Sequence, residues 1–180
     1  MLSIKIPGRE LFDEETQSFI QSEPYELRLE HSLVSVSKWE SKWKKPFLDP
    51  SGKKTWAESL DYVRCMTLNQ HVKPEVYMSI GSKEMEAINA YIEDFRTATK
   101  ISTKNSSPNR EIMTSEVIYC YMFLHNIPIE CQKWHLSRLM TLLEVCSIKS
   151  NPGKKMSRSE ILAQNKAINA ARRKASHTKG

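Results

Sequence analysis

A chain of 180 residues with 39% hydrophobic content and only five glycines has the make-up of one folded domain with room for an appendage, which excludes a disordered or collagen-like polypeptide. No window approaches the roughly 18 consecutive apolar residues of a membrane span, and Met1-Leu-Ser-Ile-Lys-Ile-Pro is broken by charge and proline too early for a secretory signal, so a cytosolic setting is expected. The net charge of +6 is unevenly placed: residues 149–180 hold nine Lys or Arg against Glu160 alone (+8), and the other 148 residues hold 18 basic and 20 acidic (−2).

Residues 1–31 read as extended. Leu2, Ile4 and Ile6 alternate with polar neighbours, as do Tyr25, Leu27 and Leu29, which is the period of a half-buried strand. Glu10 to Ile20 fits either a hairpin turning at Asp13 to Glu15 or one short amphipathic helix, and the hairpin is preferred. The expected result is a small antiparallel sheet.

From Ser32 the period changes. Leu33, Val36, Trp39 and Trp43 share one helical face, with Ser32 as cap and Pro46 as terminator; Lys38, Glu40, Lys42, Lys44 and Lys45 form the polar side. Asp49-Pro-Ser-Gly is a turn. Thr55-Trp-Ala-Glu58 is a capping box, opening a helix to about Leu68 that buries Leu60, Val63 and potentially Cys65. A short helix follows Pro74 and stops at Gly81. Ser82 caps another helix through Asp94, with Met85, Ile88, Tyr91 and Ile92 inside. Thr97 to Arg110, rich in Ser, Thr, Asn and Lys, reads as a loop.

Thr114 to Ile148 carries the densest apolar pattern and reads as a helical hairpin forming the core. Its first helix is expected to run to about His125 and its second from Pro128 to about Ile148, with Asn126 and Pro128 supplying the break. In the second helix Trp134, Leu139, Leu142, Leu143 and Cys146 fall near one stripe. The four tryptophans, Trp39, Trp43, Trp56 and Trp134, are expected to pack in the core rather than stack on a ligand.

Pro152 and Gly153 make residues 149–156 a hinge, and Ser157-Arg-Ser-Glu160 is a second capping box. The fold class is therefore mainly α with a small N-terminal antiparallel β-sheet (α+β). Residues 1–148 form one domain, divided into a β region (1–31) and a helical core (32–148). After the hinge comes a basic C-terminal helix over 157–180.

Chemistry has few footholds. His125, Cys131 and His135 are the nearest approach to a metal site, since Cys131 and His135 stand four apart on the expected helix; no fourth ligand or zinc spacing accompanies them. A Cys/His nucleophile from the same residues lacks an orienting carboxylate and an oxyanion loop. Four dispersed cysteines without a C-x-x-C pair read as reduced, mostly buried thiols. No nucleotide-binding or metalloprotease motif occurs. No enzyme activity, metal or cofactor is expected.

The tail offers more. Ile161, Leu162 and Ile168 give its helix a small apolar stripe, with Lys166, Arg172, Arg173 and Lys174 elsewhere. Such a helix can solubilise, dock on a protein partner or neutralise phosphates. Protein docking is preferred to nucleic acid because the helix is capped and lacks interleaved aromatics. Three large apolar residues are too few for lasting membrane insertion.

Four ordered blocks complete the reading. Leu29-Glu-His-Ser-Leu-Val-Ser-Val-Ser-Lys-Trp-Glu-Ser-Lys-Trp-Lys-Lys-Pro-Phe-Leu, Tyr62-Val-Arg-Cys-Met-Thr-Leu, Ile127-Pro-Ile-Glu-Cys-Gln-Lys-Trp-His-Leu-Ser-Arg-Leu, and Lys154-Lys-Met-Ser with Asn169-Ala-Ala-Arg-Arg together resemble the tail assembly chaperones of long-tailed bacteriophages. That resemblance implies a non-enzymatic protein of the host cytoplasm that binds the long helical tape-measure protein and assists polymerisation of tail-tube subunits; the helix beyond the Pro152-Gly153 hinge adds the option of pairing with a neighbouring subunit in a homo-oligomer. The alternatives are a structural virion protein of tail, baseplate or connector, and a nucleic-acid-binding protein acting through the basic helix.

Overall fold

The alternation of the first strand segments gives each one apolar face, and two such faces are buried together when the segments pair. A computed structural model describes residues 1–13, 17–99, 101, 112–150 and the single positions 159, 162, 165, 166, 168, 169 and 172. In it β1 (Leu2–Ile6) runs antiparallel to β4 (Tyr25–Leu29), with Leu2 opposite Leu29 and Ile6 opposite Tyr25. Ile6, Leu27 and Leu29 are buried. The intervening chain forms a separate two-stranded ladder, β2 (Glu10–Asp13) with β3 (Ser18–Gln21), in which Phe12 faces Phe19. The preferred hairpin is thus present, as two ladders rather than one sheet; residues 14–16 of its turn lie outside the described residues.

The segment from Glu26 to Ser32 acts as a rail to which three distant stretches are fastened. β1 takes one edge. On the other edge the chain after α2 (Trp56–Met66) bonds back, with Leu68 N donating to Arg28 O at 2.8 Å, Glu30 N to Met66 O at 2.9 Å, and the Asn69 amide bracketing Arg28 N and Glu26 O. Further along, Ser32 bridges to His135, and Leu136 N donates to His31 O at 2.8 Å. Each such bond satisfies a main-chain group of the rail, and those at Glu30 and His31 do so in the part that runs into the interior.

Six α-helices follow among the described residues. α1 (Leu33–Trp43) has Ser32 as its cap, and Lys44 in the left-handed region (φ 53°) ends it two residues before Pro46. α2 opens on the expected capping box, Glu58 N to Thr55 Oγ1 and Thr55 N to Glu58 Oε2. α1 and α2 pack through named polar locks as well as apolar contact. Trp39 Nε1 donates to Glu58 O at 2.9 Å, while Asp61 accepts from Lys42 Nζ and from Trp43 Nε1. These locks turn α2 relative to the expected face: Asp61, Tyr62, Val63 and Met66 are buried, whereas Leu60 and Cys65 are half-buried. α3 (Pro74–Met78) is short, and α4 (Ser82–Glu93) buries Met85, Ile88 and Tyr91 as expected. Its cap is Gly81, not Ser82, because Glu84 Oε2 reaches back to Gly81 N at 2.8 Å and closes the first turn there.

α5 (Ser115–Leu124) ends in a Schellman closure: Asn126 takes φ 53°, Ile127 N donates to Met122 O and Asn126 N to Phe123 O. The single long helix expected from Pro128 does not form. Ile129–Lys133 is a 3-10 turn, Trp134 is extended (ψ 160°), and α6 (Leu136–Ser150) starts only after the bridge from His135 to the rail. Pairing with Ser32 and His31 diverts the backbone groups that a continuous helix would need. The resulting stripe on α6 is Leu136, Leu139, Thr141 and Leu143, with Leu142 and Cys146 half-buried. The tryptophans divide: Trp39 is core, Trp43 and Trp134 are half-buried, and Trp56 is exposed. The chain is mainly helical with a small antiparallel N-terminal β region, and it divides into compact units Met1–Val145 and Cys146–Gly180. Among the described residues no helix is long and apolar enough to cross a membrane.

Glu40 departs most from the expected polar face of α1. It is only 7% exposed, and its carboxylate oxygens accept from Phe47 N and from Ser115 N, each at 2.7 Å. Glu40→Ala leaves two buried donors unpaired at about 1–3 kcal/mol each, so urea denaturation should show a loss of about 3 kcal/mol or more. An unchanged midpoint would refute the assignment.

Candidate interaction surfaces

α5 is apolar almost all round, from Val117 through Leu124, and a helix of that kind needs cover on every side. Its inner side is fixed firmly. Thr114 Oγ1 accepts from Val117 N, Glu40 holds Ser115 N, and Ile118 and Met122 are fully buried. The anion at the first turn of α5 also complements the positive end of that helix. The outer side is open: Phe123 is 65% exposed, Leu124 68%, and Cys120 is exposed as well. Together with Tyr119 and Glu116 they line a shallow groove of about 520 Å³. Ile129, just past the Schellman turn, is exposed too. The sequence reading assigned this segment to the core, yet one layer of neighbours covers only one side of a uniformly apolar helix. The uniformity itself was the available signal.

The second unit holds the residues singled out for partner binding. Ser159, Leu162, Asn165, Lys166, Ile168, Asn169 and Arg172 are helical and exposed, Leu162 at 63% and Ile168 at 42%. Ile168 and Arg172 stand one turn apart, so an apolar and a cationic group share one face. Ile161, Arg173 and Lys174 lie outside the described residues, as do residues 151–158 of the expected hinge and its capping box.

The metal candidates do not converge as the sequence arrangement required. His125 is the C-cap of α5, Cys131 sits in the 3-10 turn, and His135 follows the extended Trp134, so the four-residue helical spacing is lost. Among the described residues no group of three His, Cys, Asp or Glu side chains could hold a metal ion. All four cysteines are free, but only Cys131 is buried; Cys65 and Cys146 are half-buried and Cys120 is exposed, so the expectation of mostly buried thiols does not hold.

His135 pairs instead with His31, ring centroids 5.1 Å apart. His31 Nδ1 and the Tyr62 hydroxyl share a hydrogen bond of 2.5 Å. His135 Nε2 donates to Tyr91 O at 3.1 Å, which leaves Nδ1 to accept from the Ser137 hydroxyl at 2.8 Å. Tyr91 in turn donates to Glu30 Oε1, and Glu30 also binds the Met1 ammonium. This network joins the rail, α2, α4 and the start of α6 within the buried interior. Its neutral imidazoles act as hydrogen-bonding fixtures.

Burial, reinforced by the neighbouring His135, pushes His31 down to about 3 from its ordinary 6.5, and burial lowers His135 as well. The unfolded chain therefore takes up protons first as pH falls. The stabilisation is complete above about pH 6.5 and declines from there toward about pH 3. Thermal melting should show a midpoint dropping steadily across that window, with a flatter profile for His31→Gln; identical slopes would contradict the buried neutral pair. Comparison with protein-family models, with curated proteins and with solved structures finds no match to this chain.

Proposed function

We propose that the protein is a non-enzymatic assembly chaperone of a long-tailed phage, which holds a helical client such as the tape-measure protein against the outer face of α5 and assists assembly of the tail tube. The observation that carries this reading is the open apolar side of α5, with Phe123 and Leu124 about two-thirds exposed on a helix whose other side is pinned by Glu40. A protein that must keep an amphipathic helix soluble needs an apolar strip of one helix's width on a rigid base. The resemblance of the four sequence blocks to tail assembly chaperones points the same way. The exposed helical positions of the second unit, with Leu162, Ile168, Lys166 and Arg172, add a second adhesive element suited to a transient partner.

The test is co-expression with the tape-measure protein of the same phage. Phe123→Asp combined with Leu124→Asp should shift the client into the insoluble fraction while the variant keeps its own circular dichroism spectrum, because both side chains are mainly solvated. Full client solubility with the double variant would defeat the reading. Recovery of the protein in stoichiometric amount from purified virions would favour a structural virion subunit instead.

A further inference from the structure

We propose that the β2–β3 hairpin is a docking arm that seats on the lysine-lined loop between α1 and α2 of a second copy of this chain. Alternation in the ladder puts Glu10, Phe12, Phe19 and Gln21 on one face, and all four are exposed, Phe12 at 50% and Phe19 at 69%. The two rings meet edge to face, centroids 5.3 Å apart. Leu11 and Ile20 turn the other way and are half-buried. The base of the hairpin is anchored: Ser22 N donates to Arg9 O at 2.9 Å, and the Arg9 guanidinium binds Glu84 Oε2, which also holds Gly81 N. A two-stranded hairpin is marginal on its own, so an open aromatic face on an anchored one is a surface suited to a partner.

Charge restricts that partner. Residues 8–24 hold five acidic residues, Glu10, Asp13, Glu14, Glu15 and Glu23, against Arg9, and Arg9 is already paired with Glu84. Two such hairpins repel each other, and the hairpin likewise repels a phosphate backbone or an anionic membrane. The segment between α1 and α2 has the opposite character, with Lys44, Lys45, Lys53 and Lys54 against Asp49. Lys45, Lys53 and Lys54 border a recess of about 120 Å³ beside Trp39 and Pro46, which at about 30 Å³ per water has room for a carboxylate. The recess has two carboxylates of its own, and both are engaged inside the chain: Glu58 by Lys45 Nζ and Thr55 N, Asp49 by the amide and hydroxyl of Ser51.

Glu10 and the Phe12–Phe19 pair match that recess. A carboxylate entering among the three ammonium groups gains charge-assisted hydrogen bonds. The rings beside it lie against the lysine stems, and ammonium groups are attracted to ring faces as well. The same loop already holds Lys54 Nζ over the Phe47 ring, 4.2 Å from its centroid. Trp56, two residues beyond Lys54 and 52% exposed, adds apolar surface at the edge. Arm and recess belong to one compact unit, Met1–Val145, in which the hairpin is anchored at Gly81 and its aromatic face is open, so the two meet between copies. Each copy carries both halves of the contact, and the association runs head-to-tail, closing into a ring or extending as an oligomer. It involves neither α5 nor the second unit and stands independently of the chaperone reading.

Sedimentation equilibrium of the full chain tests it. The protein should self-associate at low salt and dissociate as salt rises. Glu10→Lys and Lys53→Glu should each weaken association by about tenfold or more, and the two substitutions combined in one chain should restore it, because the exchanged charges again face each other. An equimolar mixture of the two single variants should also associate. Phe12→Ser with Phe19→Ser leaves the charge unchanged and should weaken association by a similar factor. That pair takes the place of Glu10→Lys should the latter fail to fold: mixed with Lys53→Glu it should form a one-to-one complex, since one variant supplies an intact recess and the other an intact arm. A chain that is monomeric at every concentration in low salt, or association indifferent to these substitutions, would overturn the proposal. So would losses that neither the charge exchange nor the mixtures repair, which would assign the hairpin to another cationic partner, the basic tail included.

Discussion

A single buried carboxylate holds two otherwise unrelated parts of this fold together. Glu40 projects from α1 into the interior and accepts from Phe47 N, in the loop that leaves α1, and from Ser115 N, in the first turn of α5. Phe47 is thereby kept against Trp39, Tyr62 and His31, the aromatic centre of the core. α5 is kept with Ile118 and Met122 inward, which leaves Phe123 and Leu124 outward. A carboxylate in a low-dielectric interior is tolerated only when its oxygens are engaged. Here one of the donors, Ser115 N, lies 75 residues from Glu40, so the interaction is specific to the folded topology.

The rail from Glu26 to Ser32 complements that constraint. Its backbone bonds bring the N-terminal strand, the segment after α2 and the start of α6 to one line. The buried histidines then fill the space where those segments meet. Hydrogen bonding thus decides where helices stop as well as where strands pair. The interruption between the 3-10 turn and α6 is the plainest case, because a sequence of good helical pattern gives way to a two-residue bridge.

How much was legible beforehand follows from the same physics. Alternation and local caps are short-range, and they located β1, β4, the Ser32 cap, the Thr55 box and the inner face of α4. Glu40 was misplaced on the solvated side, although it lies seven residues after Leu33 and so shares its stripe. Charge outweighed position in that reading, and the distant donor at Ser115 carries no local signature. The break at Trp134 and His135 was hidden for the same reason, since its cause sits about 100 residues earlier at His31 and Ser32. The open side of α5 was misread because apolar density signals burial without saying by which molecule.

α5 offers a dry strip on a rigid base, and that rigidity traces back to the Glu40 bridge. Amide hydrogen exchange at Phe47 and Ser115 measures it directly. These two amides should exchange only through global unfolding, as slowly as the core amides of α1. Exchange at either position that is orders of magnitude faster than at α1 would show that the bridge opens independently, and would contradict a pinned α5.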